Sequence, residues 1–90
     1  MKLFKKNKKY ECPCCGYYTF DQKTPGTFEI CKVCFWQDDI VQYKDIYLVG
    51  GPNKVSLFVA RQNYKNYGAS EKKWISYVRK PNKNELPKNN

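Results

Sequence analysis

Cys12 and Cys15 form one C-x-x-C pair and Cys31 and Cys34 form a second, with fifteen residues between the pairs. Two such pairs at this separation are the layout of a tetrahedral four-thiolate zinc site, in which each pair closes a tight turn and points both sulfurs at one ion. Pro13 stiffens the first turn and Gly16 lets the backbone leave it, so the motif reads Cys-Pro-x-Cys-Gly, the knuckle of a zinc ribbon. Four thiolates close the coordination shell and leave no position for water or substrate, which makes such a site structural rather than catalytic. The expected cofactor is therefore one structural Zn²⁺ on Cys12, Cys15, Cys31 and Cys34. An iron–sulfur centre takes the same four ligands and stays open at this point. A thioredoxin-like redox pair needs a βαβ context that the chain does not display.

Cys14 is a fifth thiol, placed inside the first knuckle. It reads either as a redox or regulatory thiol, or as a small apolar residue of the turn that serves at most as an occasional alternative ligand. Its neighbours are the expected metal thiolates, a poor setting for a second reactive anion, so the packing role is the expected one. The chain has no histidine, which removes the commonest general acid or base and the commonest catalytic zinc ligand. Asp38 and Asp39 are the best remaining carboxylate pair, yet adjacent residues rarely converge on one point, and capping a turn is their expected use. No catalytic residue and no enzymatic activity are expected. Phe35, Trp36, Asp38 and Asp39, directly after the second knuckle, are the candidate partner-binding residues.

The elements that hold these groups follow from local pattern. Tyr17–Phe20 is rich in strand-favouring residues and Thr27–Ile30 alternates in the same way, with Pro25-Gly26 between them as a turn. This predicts a hairpin with both knuckles at its base. Gly50-Gly51-Pro52 breaks the chain before a helix in which Asn53 serves as cap, Leu57, Ala60, Tyr64 and Tyr67 share one face, and Gly68 ends the run. Ser70–Val78 reads as a second short helix capped by Ser70, or as a strand. No internal repeat is visible.

Ninety residues suggest one domain that buries only about 60 to 65% of its extended surface, so the core needs a staple. Residues 1–9 read as a mobile basic arm, 10–80 as the cysteine-bearing domain and 81–90 as a loose polar tail. Neither a secretory signal nor a membrane span is evident, which points to the cytoplasm, where clustered thiols stay reduced and hold metal. The net charge of +9 is uneven: residues 1–9 carry five lysines and no acid, 10–50 carry three bases and six acids, and 51–90 carry nine bases and two acids. Lysine-rich termini make nucleic acid a partner to consider. Fifteen of the seventeen bases are lysine, however, whereas specific readers favour arginine. The acidic centre with its aromatic residues favours a protein partner.

Taken together, ECPCCGYYTF, FEICKVCFWQDD, GGPNKVSLFVARQNYKNYGAS and VRKP resemble the bacterial family of small cysteine-rich CPCC proteins, over about residues 10 to 81. The resemblance implies a stand-alone domain held by Cys12, Cys15, Cys31 and Cys34, with Phe35, Trp36, Asp38 and Asp39 in its characteristic segment, and it brings no established activity. Family members usually read Cys-Pro-Val-Cys at the second knuckle; this chain has Cys-Lys-Val-Cys, which keeps the ligands and loses the stiffening proline. The expectation is a small α+β fold, a zinc-ribbon-like β-hairpin with two cysteine knuckles packed against one or two helices. Its expected work is non-enzymatic binding of a protein. A toxin immunity or antitoxin role and a nucleic-acid-binding ribbon are the alternatives.

Overall fold

A C-x-x-C turn reverses the chain, so the segments that pair are those on either side of it. In the computed structural model, which describes residues 8–87, β1 (Tyr10–Glu11) runs antiparallel to β2 (Tyr18–Phe20), with Tyr10 opposite Phe20 and Glu11 opposite Tyr18. The second turn repeats this with less regular partners: Ile30 bridges Gln37, Cys31 N donates to Trp36 O at 2.9 Å, and Asp38 N donates to Glu29 O at 2.9 Å. The single hairpin expected between Tyr17–Phe20 and Thr27–Ile30 is thus replaced by two, each with a knuckle at its tip. Pro25-Gly26, with a cis Thr24–Pro25 peptide and Gly26 at φ +100°, links them instead of closing one. The class is the expected small α+β, a two-stranded antiparallel hairpin with the cysteines clustered beside it.

Helix α1 (Ile40–Lys44) is short and was not expected; it starts where the Asp39 carboxylate accepts from Gln42 N at 2.9 Å. Helix α2 (Leu57–Tyr67) is the expected one, but its cap is Ser56, whose Oγ accepts from Val59 N at 3.1 Å, and Asn53 is used elsewhere. Gly68 ends it at φ +79°, a left-handed value that a β-carbon would strain. On the expected face Leu57 and Ala60 are buried and Tyr64 packs against the core, whereas Tyr67 faces solvent. The segment left open between helix and strand is a 3₁₀ helix, Lys72–Tyr77. Ser70 does not cap it; it is buried and its N–H donates to Cys34 O at 2.7 Å.

The tail also departs from expectation. A second 3₁₀ turn, Lys83–Glu85, opens on a capping box between Asn82 and Glu85 and contacts β2. Glu85 is buried and takes both guanidinium nitrogens of Arg79, each at 2.9 Å. Ordered packing therefore continues past residue 80 because a carboxylate and a guanidinium anchor it. Residues 1–7 of the basic arm and 88–90 of the tail lie outside the described residues.

The Arg79 hydrogen bonds hold the Glu85 carboxyl below its ordinary range, and the Asn82 amide adds to them. A depressed carboxyl contributes stability above its unfolded pKa of about 4.3 and loses it as pH falls through the lower folded value. NMR titration of the Glu85 side-chain carbon should give a midpoint below about 4.3. Glu85→Gln at neutral pH should cost about 1 kcal/mol, the Arg79 half of the pair being partly in solvent. An ordinary midpoint would show that the pair does not form in solution.

Cys12, Cys14, Phe20, Cys31, Val33, Cys34, Trp36, Leu57 and Ala60 make one buried cluster. Three of the paired cysteines sit in it, so an ion held by them would lie within the core.

Candidate metal centre

The two knuckles share one backbone pattern, offset by nineteen positions. Cys12 N donates to Tyr17 O at 2.8 Å as Cys31 N does to Trp36 O, and Gly16 N donates to Cys12 O at 2.9 Å as Phe35 N does to Cys31 O at 2.8 Å. Cys14 N points at Cys12 Sγ and Val33 N at Cys31 Sγ, both at 3.4 Å. These amides stabilise charge on the sulfur and fix its direction. The residue that follows each knuckle is left-handed, Gly16 at φ +83° and Phe35 at φ +72°. For Phe35 that conformation costs roughly 1 to 2 kcal/mol. Ring contacts offset it: Phe35 lies 4.5 Å from Trp74 and 5.8 Å from Tyr77, centroid to centroid.

The four sulfurs of Cys12, Cys15, Cys31 and Cys34 lie within 4.8 Å of one another. Cys12 to Cys34 is 3.6 Å and Cys15 to Cys31 is 3.7 Å, far beyond the roughly 2.05 Å of a disulfide. Four sulfurs at about 2.3 Å from one ion define a tetrahedron with edges of about 3.8 Å. The set therefore fits a single tetrahedral ion, and each edge just quoted joins one knuckle to the other. Such an ion would tie the two hairpins together at the centre of the cluster they share.

The electrostatics also call for a cation. Cys31 accepts from Cys12, Cys15, Cys34 and the Thr19 hydroxyl, and these hydrogen bonds hold its thiol well below the ordinary value. Burial pushes Cys12 and Cys34 up. Left to themselves the four groups favour one thiolate and keep the others protonated; a divalent cation lets all four ionise. Burial, followed by the facing Cys15 sulfur, raises the Tyr64 hydroxyl above its ordinary range.

Neighbouring elements brace each knuckle. Arg61 on α2 donates from Nε to Pro13 O at 2.9 Å, and the Ser70 amide just after α2 holds Cys34 O. Behind the second hairpin, Asn53 pairs with the Gln37 backbone, accepting from its N at 2.9 Å and donating to its O at 2.8 Å. Gln42 then ties Asn53 to the loop: its Nε2 reaches the carbonyls of Leu48, Asn53 and Val55, and its Oε1 accepts from Asn53 N and Nδ2.

Of the residues singled out from sequence, the four ligand cysteines converge. Cys14 is buried in the core as a packed part of its turn. Trp36 and Asp38 are 0% exposed and Asp39 is buried, so these three offer a partner no surface. Asp38 accepts from Thr27 N at 2.8 Å and Asp39 caps α1, the uses that an adjacent acid pair favours. Phe35 alone of the four keeps partial exposure. Gln42 and Asn53 are the structural positions that sequence reasoning missed or misassigned, and the left-handed turn at Phe35 is a further feature it did not read. Two carried a legible signal: Phe35 occupies the place of Gly16 in the second knuckle, and Asp39 precedes Gln42 at capping distance.

The family model described as cysteine-rich CPCC matches residues 10–85. No curated protein matches the chain. The match ends at Glu85, the residue that anchors the last ordered turn.

Proposed function

The chain belongs to the cysteine-rich CPCC family, and on that premise we propose that it is a structural-zinc module without chemistry of its own that works by binding another protein. The observation that supports this most is the closed shell of four sulfurs, three of them buried, set in the middle of the core. A site with no free position holds the chain together and leaves function to the surface. Zinc is favoured over iron–sulfur because inorganic sulfide and several irons would force the cysteine sulfurs further apart than one ion does. Elemental analysis of protein purified without added metal should return about one zinc per chain. Iron in its place, or a folded chain free of metal, would sink the assignment.

Protein binding is supported by large apolar side chains left in solvent, among them Phe28, Tyr47, Val49 and Tyr77. These are the side chains that anchor interfaces. The nucleic-acid alternative leaned on the lysine arm, and of its described lysines Lys8 lies over the Tyr10 ring and Lys9 pairs with Asp21. Neutralising a toxin is one form of the same protein-binding reading. Among the described residues no helix is long and apolar enough to cross a membrane. A cytoplasmic setting, which keeps thiols reduced, suits this design.

A further inference from the structure

Between the second knuckle and the exit of the 3₁₀ helix lies a groove of about 480 Å³, lined chiefly by Ile30, Phe35, Tyr77 and Val78, with Lys32 and Arg79 at its edge. We propose that this groove seats a large apolar side chain of an acidic peptide segment on a partner protein. The inference rests on the protein-binding reading above and names the chemistry of the partner.

The floor is apolar and exposed: Ile30 is 46% and Tyr77 65% accessible. That floor is also rigid. Phe35, Trp74 and Tyr77 pack on one another, with Trp74 and Tyr77 edge to face at 5.5 Å, and the Lys73 ammonium covers the Trp74 ring at 4.9 Å. A preformed apolar slot binds a side chain at low ordering cost. Rings that are locked together and capped by lysine make a poor stacking ladder for successive bases, which favours a peptide over single-stranded nucleic acid.

The rim sets the sign of the partner. Glu85 and Glu71 are largely buried and already answered by Arg79 and Lys73. Lys32 in the groove wall and Lys80 after Arg79 have no carboxylate partner among the described residues. Charges placed this way speed encounter with an acidic segment and make affinity depend on salt.

The test pans the metal-loaded full chain against a random peptide display library, then titrates the enriched peptides by calorimetry. Enriched sequences should combine Asp or Glu with a large apolar residue, and binding should weaken several-fold when salt is raised. Tyr77→Ala, and separately the Lys32→Glu/Lys80→Glu double variant, should each weaken binding by about tenfold or more, with zinc content as the check on folding. Val41→Ser, on α1 and outside the groove lining, should leave it unchanged. Enrichment without acidic residues, indifference to the groove variants, or no enrichment at all overturns the proposal. A native partner that binds the Tyr77→Ala chain as tightly as the parent overturns it while leaving the protein-binding reading intact. Displacement of the peptide by a single-stranded oligonucleotide overturns both.

Discussion

Cys31→Ser is expected to leave the chain largely unfolded at 25 °C. The sulfur of Cys31 sits at the junction of the centre, 3.7 Å from Cys15, and it takes the Val33 amide and the Thr19 hydroxyl. Replacing it opens the shell and cuts a link between the two hairpins. Apparent binding of structural zinc in small finger peptides is on the order of 10 to 16 kcal/mol, as large as the whole stability of an ordinary domain at 5 to 15 kcal/mol, or larger. The pairs β1 and β2 contribute are too short to hold the fold alone: two residues in one strand and three in the other. Chelation of the parent protein should have the same effect, and metal should restore the fold. Backbone amide dispersion by NMR, followed alongside metal content, measures both. Cys14→Ser is the control, because Cys14 lies outside the four-sulfur set and should keep its metal and nearly all its dispersion. A cooperative, dispersed apo protein would mean that packing rather than the ion carries the fold.

The second large effect lies away from the sulfurs. Gln42→Leu conserves volume yet should cost about 3 to 5 kcal/mol, because it strands several buried groups at once. Gln42 is fully buried and its amide serves five partners, the carbonyls of Leu48, Asn53 and Val55 and the two nitrogens of Asn53. A lost buried partner costs about 1 to 3 kcal/mol. The packing there is equally tight: a β-carbon built on Gly51 would meet Gln42 Oε1 at 2.8 Å, so that glycine is required by close approach. Denaturant unfolding of the metal-loaded variant measures the loss. Zinc content should remain near one per chain, since none of the five partners is a ligand. A loss under about 1 kcal/mol would show that water replaces the side chain's bonds and that the loop is no brace.

These two expectations separate what holds the chain together from what orients it. An ion on the four sulfurs would join the knuckles, and the Gln42–Asn53 network holds the second hairpin and the Leu48–Val55 loop in register with them through the Gln37 backbone. That burial also explains why Trp36, Asp38 and Asp39 cannot meet a partner. They are the inward and capping residues of the second hairpin, and the exposed aromatic surface passes instead to Tyr77 beside Phe35.

The convergence of the four cysteines was legible in the chain itself because cysteine spacing is local: a C-x-x-C turn needs only four residues to aim two sulfurs, and two such turns can share one centre. The glycine stop at Gly68 and the helix before it were legible for the same reason, as a cap and a period within one segment. What local pattern could not decide was pairing. Tyr17–Phe20 and Thr27–Ile30 both favour strands, but propensity does not name a partner, and each strand turned to the segment across its own knuckle. The C-x-x-C spacing already paired the two knuckles, but their common backbone hydrogen bonds, which amides carry, leave no mark in side-chain identity. Tertiary contact alone gave Gln42, Asn53 and Glu85 their roles, since a polar side chain becomes a brace only when folding removes it from water and supplies its partners. It also redistributed charge, drawing Lys32 of the acidic centre beside Arg79 of the basic flank into one groove.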